Sequence, residues 1–277
     1  MRIDRPTSTD SPAKPWWILA RFGLCTLAIS LVLSLLVIPW LHLPLWQMLR
    51  RCASIGAACS LWLCIRKFEH RSIRSYGLLL QREGRRQVLA GLAVGVGTLG
   101  VLLVIGLANG AYEIVVINDR LRLWNTILSF IPIAVVVSVL EELVFRGYIL
   151  QNLLPYSKWL AVSVSSALYA VVHVRQLTFN LSAGLELIGL FLLGTILALS
   201  YLLTNQLAFS LGLHASLAYG ARVNKLLIEF QNPAMAWLVG TTRLVNGVMS
   251  WVILLSLWGL VIWRVRIRRK GGMACAS

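Results

Sequence analysis

Apolar runs of about bilayer length follow one another along nearly the whole chain, and no other feature constrains the fold as much. They fall near residues 16–38, 46–65, 87–107, 125–150, 159–174, 185–203, 206–219 and 236–263. A helix rises ~1.5 Å per residue and the hydrocarbon layer is ~30 Å thick, so about 20 mostly apolar residues make one crossing. The expected fold is an all-α membrane protein, a polytopic helical bundle of about eight transmembrane segments. The run at 206–219 is short and flanked by Asn205, Arg222 and Lys225. It therefore reads as a partial or re-entrant helix, which lipid tolerates only where protein or water surrounds it.

Charge patterning agrees with this reading. The sequence is 58% hydrophobic and 13% charged, with a mean hydropathy of +0.77, which leaves too little polar surface for a soluble domain. In a soluble protein a net charge of +16 would suggest nucleic acid. Here the basic residues gather between and beyond apolar runs, as in a membrane protein that keeps its positive loops on the cytoplasmic side. Arg66, Lys67, Arg71, Arg74, Arg82, Arg85 and Arg86 form one cluster, and Arg264, Arg266, Arg268, Arg269 and Lys270 form another. Both suit contact with anionic lipid headgroups, and no nucleic-acid partner is expected.

An even number of crossings puts both termini on the cytoplasmic side, with the loop at 66–86. The expected organisation is a polar tail at 1–15, a membrane domain at 16–263 with its core at about 125–220, and a basic tail at 264–277. A multi-pass protein of a bacterial inner membrane is the implied location. The first run is long for a secretory signal and lacks a small-residue cleavage site, and the ending Cys275-Ala276-Ser277 is one residue short of a prenylation box. The five cysteines are scattered without Cys-x-x-Cys pairs and read as small apolar fillers. His42 and His70 lie near span ends without a motif. The glycines at 91, 95, 97 and 100 suit close helix packing.

Carboxylates inside an apolar run carry the chemistry. Glu141 and Glu142 close the stretch that begins at Ile131, followed by Arg146. An ionisable group at membrane depth costs several kcal/mol and marks function by default. Glu142 and Arg146 are four apart on a helix and can pair, whereas Glu141 is turned ~100° away. His173 ends the run at 159–174, one turn after Tyr169. If the fourth and fifth runs form a hairpin turning near Ser157, Glu141 and His173 are equidistant from the turn and face each other. A carboxylate beside an imidazole is a plausible pair for activating water. His214, in the short seventh run, could donate to a developing oxyanion. Two histidines and two glutamates are also zinc-type ligands, but no His-Glu-x-x-His pairing is present, so neither metal nor cofactor is expected.

Taken in order, Glu141-Glu142-x-x-x-Arg146, Tyr169-x-x-x-His173 and His214 in a short late helix resemble the CPBP family of CAAX-type intramembrane glutamic endopeptidases, over roughly residues 125–219. The resemblance implies that Glu141 and His173 activate the attacking water, that His214 helps stabilise the oxyanion, and that Glu142 and Arg146 shape the site. The chain departs from the family at two places. Tyr169 stands where Phe is usual, and Ala218 stands where an Asn or Asp follows the last histidine by four residues. Ser216, Tyr219 or Asn224 could compensate for the second.

The expected function is an endopeptidase acting near the C-terminus of a membrane-anchored or lipidated protein or peptide. A non-catalytic membrane scaffold or immunity-type protein of the same fold is the alternative, favoured by Ala218. A transporter using Glu141, Glu142 and Arg146 as an ion path is a third reading.

Overall fold

The computed structural model describes residues 15–41, 43–69, 72–78, 81–115, 119–173, 181–241 and 246–274. Nearly all of the expected N-terminal tail, at 1–14, together with His42, His70 and Cys275, lies outside them. The chain divides into two compact units, Met1–His70 and Arg71–Ser277. In the first, α1 (Pro15–Leu41) and α2 (Leu45–Cys64) are packed together, and α2 ends in a π-helical turn at Ile65–Glu69. Ser30 and Ser34 are buried there. Each returns its hydroxyl to a carbonyl one turn earlier, at 2.6 Å, which satisfies both donors within the helix itself.

The second unit holds, in order, α3 (Arg82–Ala108), β1 (Tyr112–Ile114), α4 (Arg120–Glu142), a π-helical segment (Leu143–Ile149), α5 (Leu150–Leu153), α6 (Lys158–His173), α7 (Leu181–Thr204), α8 (Ala208–Leu227), β2 (Ile228–Phe230), α9 (Ala236–Val239) and α10 (Val248–Ala274). Helix α8 packs against α3, α4 and α7, while α6 lies on α7 and α10 on both α3 and α7. The contact between α3 and α8 is close because glycines line both sides. A Cβ on Gly91 would collide with the Phe209 carbonyl oxygen, and one on Gly212 with that of Val88. Dispersion at short range, not water exclusion, holds helices together in lipid, so such contacts contribute directly. On α3 Gly91, Gly95, Thr98 and Gly106 are buried while the larger Leu89, Val96 and Val104 are exposed.

Among the described residues, four helices are long and apolar enough to cross a membrane, at Trp16–Leu41, Arg82–Ala108, Leu123–Leu153 and Leu181–Thr204. The protein is thus an all-α membrane protein, with helices in each of the expected runs. Three features differ from expectation. The seventh run does not end near 219 but continues as α8 to Leu227; Arg222 and Lys225 are exposed, so they lengthen the helix at its solvated end instead of stopping it. The eighth run is broken at Gly240, whose φ of +79° favours glycine, and α10 starts only at Val248, running on to Ala274 through the basic segment read as a tail.

The third difference is a two-stranded antiparallel ribbon that pairs Tyr112 with Phe230, Glu113 with Glu229 and Ile114 with Ile228. It ties the end of α3 to the end of α8. The buried Tyr112 hydroxyl donates to the Val239 carbonyl at 2.6 Å, and burial pushes its pKa up to about 12.

Replacing Gly91 with Val should destabilise the protein by about 3 kcal/mol or more through overpacking against backbone, seen as a lower thermal midpoint in detergent. A Cβ on Gly100 would have nothing within 4 Å, and Gly100→Ala should leave the midpoint unchanged or raise it by up to about 1 kcal/mol equivalent.

Candidate functional site

The site is built where α4 passes into its π-helical segment. Residues Leu143 to Ile149 are all buried, and Leu150 N–H pairs with the Phe145 carbonyl five residues back. Side chains add further hydrogen bonds to carbonyls of the segment: Ser165 Oγ donates to that of Phe145 at 2.8 Å, Gln151 Nε2 to that of Arg146 at 3.4 Å, and Asn152 Nδ2 to that of Tyr148 at 3.1 Å. Single π turns of this kind concentrate at functional sites because they re-aim side chains. After the turn at 154–157 the chain returns as α6, so that Glu141 and His173 face each other as the hairpin argument requires, with Oε2 and Nε2 3.1 Å apart.

The two adjacent glutamates have opposite surroundings. Glu142 is fully buried, as is Arg146, and their Oε1 and Nη1 atoms are 2.8 Å apart. Arg146 Nη2 also donates to the Gly194 carbonyl at 3.2 Å, and its guanidinium lies 4.6 Å from the centre of the Tyr169 ring, within cation–π range. Gly194 admits this approach because α6 and α7 touch there: a Cβ on it would sit 3.0 Å from Ser166 Cα. Glu141, in contrast, is 20% exposed and His173 29%. Both line a cavity of ≈ 310 Å³ together with Phe130, Val137, Tyr169, Glu186, Leu190, Leu193, His214, Leu217, Ala218, Ala221, Arg222 and Lys225.

Proton positions follow from the acceptors. His173 Nδ1 lies 2.8 Å from the Tyr169 carbonyl oxygen, which can only accept, so Nδ1 carries a hydrogen. Its Nε2 then faces the Glu141 carboxyl at 3.1 Å, so the imidazole meets the acid through the nitrogen that the backbone does not occupy. Glu142 Oε1 accepts from Arg146 and also from His214 Nδ1, at 2.9 Å. A guanidinium is always charged, so Glu142 is the ionised partner and His214 Nδ1 is the donor. His214 Nε2 is left pointing at Glu141 Oε2 and at the Tyr169 hydroxyl, each 3.5 Å away.

All five residues singled out in the sequence, Glu141, Glu142, Arg146, His173 and His214, thus meet in one place. Sequence reasoning missed Gly194, Ser165 and the cavity-lining Glu186. A small residue at 194 opposite Ser166 was the available signal for the first. Of the three candidates to compensate for Ala218, none lines the cavity: Ser216 Oγ donates to the Leu213 carbonyl at 2.9 Å and is packed where a Cβ on Gly95 would fall. Among the described residues, no three His, Cys, Asp or Glu side chains are arranged to hold a metal ion.

Removing one member of a buried ion pair strands the other charge, which typically costs about 3–5 kcal/mol. Arg146→Met should lower stability by that amount in a denaturant titration in mild detergent, and Glu142→Gln combined with Arg146→Met should recover more than half of the loss.

Comparison with known proteins agrees with the geometry in one respect. Among curated proteins none matches the chain. Residues 123–219 match the family described as type II CAAX prenyl endopeptidase Rce1-like, the CAAX-protease family that the paired glutamates, the Tyr-x-x-x-His element and the late histidine of this segment resemble.

Proposed function

We propose that the protein is an intramembrane endopeptidase of the glutamate type, hydrolysing a peptide bond near the C-terminus of a membrane-anchored or lipidated protein or peptide. The observation that carries this reading is the close approach of Glu141 and His173, 3.1 Å apart, at the wall of a cavity that reaches solvent-exposed residues. A structural ion pair has no use for a hollow beside it; a pair that activates water needs one.

In this mechanism a water molecule in the cavity is deprotonated by the Glu141–His173 pair. Its oxygen bonds to the scissile carbonyl carbon as the carbonyl π electrons move to oxygen. When the tetrahedral adduct collapses, the C–N bond breaks and the pair returns the proton to the departing amine. Glu142 and Arg146 touch no substrate. They hold His214 by its Nδ1, so that Nε2 is aimed at the reacting centre, and a His214 protonated at Nε2 would donate to the oxyanion. Phe130, Val137, Leu190, Leu193 and Leu217 supply an apolar wall suited to a chain that arrives with a lipid anchor. Both termini lie on the cytoplasmic side in this reading, on the strength of the basic clusters that flank the spans.

A farnesylated peptide ending in a CAAX sequence, presented to the protein in liposomes, is the substrate for the test. Mass spectrometry should detect a released C-terminal fragment. Glu141→Gln and His173→Ala should each slow release by about 10²–10⁴-fold, the usual contribution of general-base catalysis, with unfolding midpoints unchanged. Chelators should have no effect. Processing at the wild-type rate by both folded variants would defeat the mechanism.

A further inference from the structure

We infer that the Tyr169 hydroxyl is an oxyanion donor in this site, supplying the hydrogen bond that position 218, an alanine, cannot. The inference rests on the proteolytic reading and adds a catalytic residue to it.

An oxyanion formed beside Glu141 must be met by preorganised donors, since stabilisation of developing charge is the largest single contribution to such reactions. His214 is one. Its Nδ1 is committed to Glu142, so it can donate only through Nε2, and only when that nitrogen is protonated. Other polar groups do not reach the place. Ser216 is turned towards α3, and His173 is engaged with Glu141 on one side and with a backbone carbonyl on the other. Arg222 and Lys225 line the same cavity, but two and three turns further along α8, roughly 12 Å or more from His214 at 1.5 Å per residue.

Tyr169 fits where these fail. Its side chain belongs to the cavity wall with Glu141, His173 and His214, and its hydroxyl is 3.5 Å from His214 Nε2, on the side that also faces Glu141. The residue is only 2% exposed, and its ring is held on several sides: the edge-on Phe145 ring at 5.3 Å, the His173 ring at 4.3 Å and the Arg146 guanidinium. Ring position is therefore fixed while the hydroxyl hydrogen can turn. In the resting site the hydroxyl lies within 3.5 Å of His214 Nε2. As the adduct forms, the same hydrogen swings to the new alkoxide oxygen and returns when the C–N bond breaks; no bond to Tyr169 is made and its proton is not transferred. Packing alone would be served by Phe; the hydroxyl is the part that packing does not require.

The test uses Tyr169→Phe, which keeps the ring and deletes the hydroxyl, in full-length protein in liposomes with the farnesylated CAAX peptide. Expected are a kcat about 10²-fold lower with KM within about twofold, and a similar loss of affinity for a peptidyl phosphinate of the same sequence, a mimic of the tetrahedral adduct. Affinity for the intact peptide, read on the Glu141→Gln background, should not change. Adding Ala218→Asn to Tyr169→Phe places an amide donor one turn after His214 and should restore kcat at least about 10-fold. Wild-type kcat and phosphinate affinity in Tyr169→Phe would overturn the inference while leaving the protease intact, as would a loss confined to KM or to thermal stability with no rescue by the asparagine. Absence of cleavage by the wild-type protein, or its persistence in Glu141→Gln, would instead refute the proteolytic reading on which it rests.

Discussion

An ion pair with no exposed surface, Glu142 with Arg146, is the interaction on which the rest of this structure depends. In a medium without water neither charge is tolerated alone, and the attraction between them offsets their desolvation better the more of their remaining hydrogen-bonding capacity is used. The protein uses part of it by recruiting distant parts of the chain, while Glu142 Oε2 and Arg146 Nε keep no hydrogen-bond partner among the described residues. Arg146 reaches the Gly194 carbonyl on α7, Glu142 accepts from His214 on α8, and the guanidinium lies over Tyr169 on α6. Three helices are thus fixed around one charged residue pair, and the small residues at the helix contacts are what let those helices come close enough.

Two neighbouring carboxylates acquire different chemistry from this arrangement. Glu142 is locked against Arg146 and buried, while Glu141, one residue earlier, faces a cavity and lies 3.1 Å from His173. Covalent identity does not distinguish them; the helical turn of ~100° per residue does, with the π-helical segment beginning immediately after both. Rigid support beside an accessible acid–base pair is the usual division of labour in a site that must be positioned to within a fraction of an ångström.

Much of this was legible in the sequence, for identifiable reasons. The i,i+4 spacing of Glu142 and Arg146 is local, and a buried charge so close to its opposite has one low-energy option. Glu141 and His173 are 32 residues apart, yet their meeting could be anticipated because a tight hairpin makes equal distances from the turn correspond in space. Neither the π-helical segment nor the β ribbon could be anticipated. The first is a local change of backbone pairing, Leu150 N–H to the Phe145 carbonyl five residues back, that leaves no mark on the apolar pattern, and the second depends on pairing between segments more than a hundred residues apart. Polar residues at 222 and 225 misled the reading of α8, because a one-dimensional hydropathy profile cannot tell a solvated helix end from a helix stop.

By itself, the sequence determined that the chain folds in lipid, that its spans are helical, and that charged residues within the fourth apolar run must find partners there, since lipid offers neither water nor counter-ions. Which partners they find was decided by the tertiary structure. Only the packing of α6, α7 and α8 around Arg146 brings His214 to Glu142, turns Ser216 away from the cavity and sets the Tyr169 hydroxyl 3.5 Å from His214 Nε2. Those outcomes depend on which faces of the helices meet, and in a bilayer that is set by shape and hydrogen bonding across the contacts, not by the hydrophobic pattern that both the lipid-facing and the buried surfaces share.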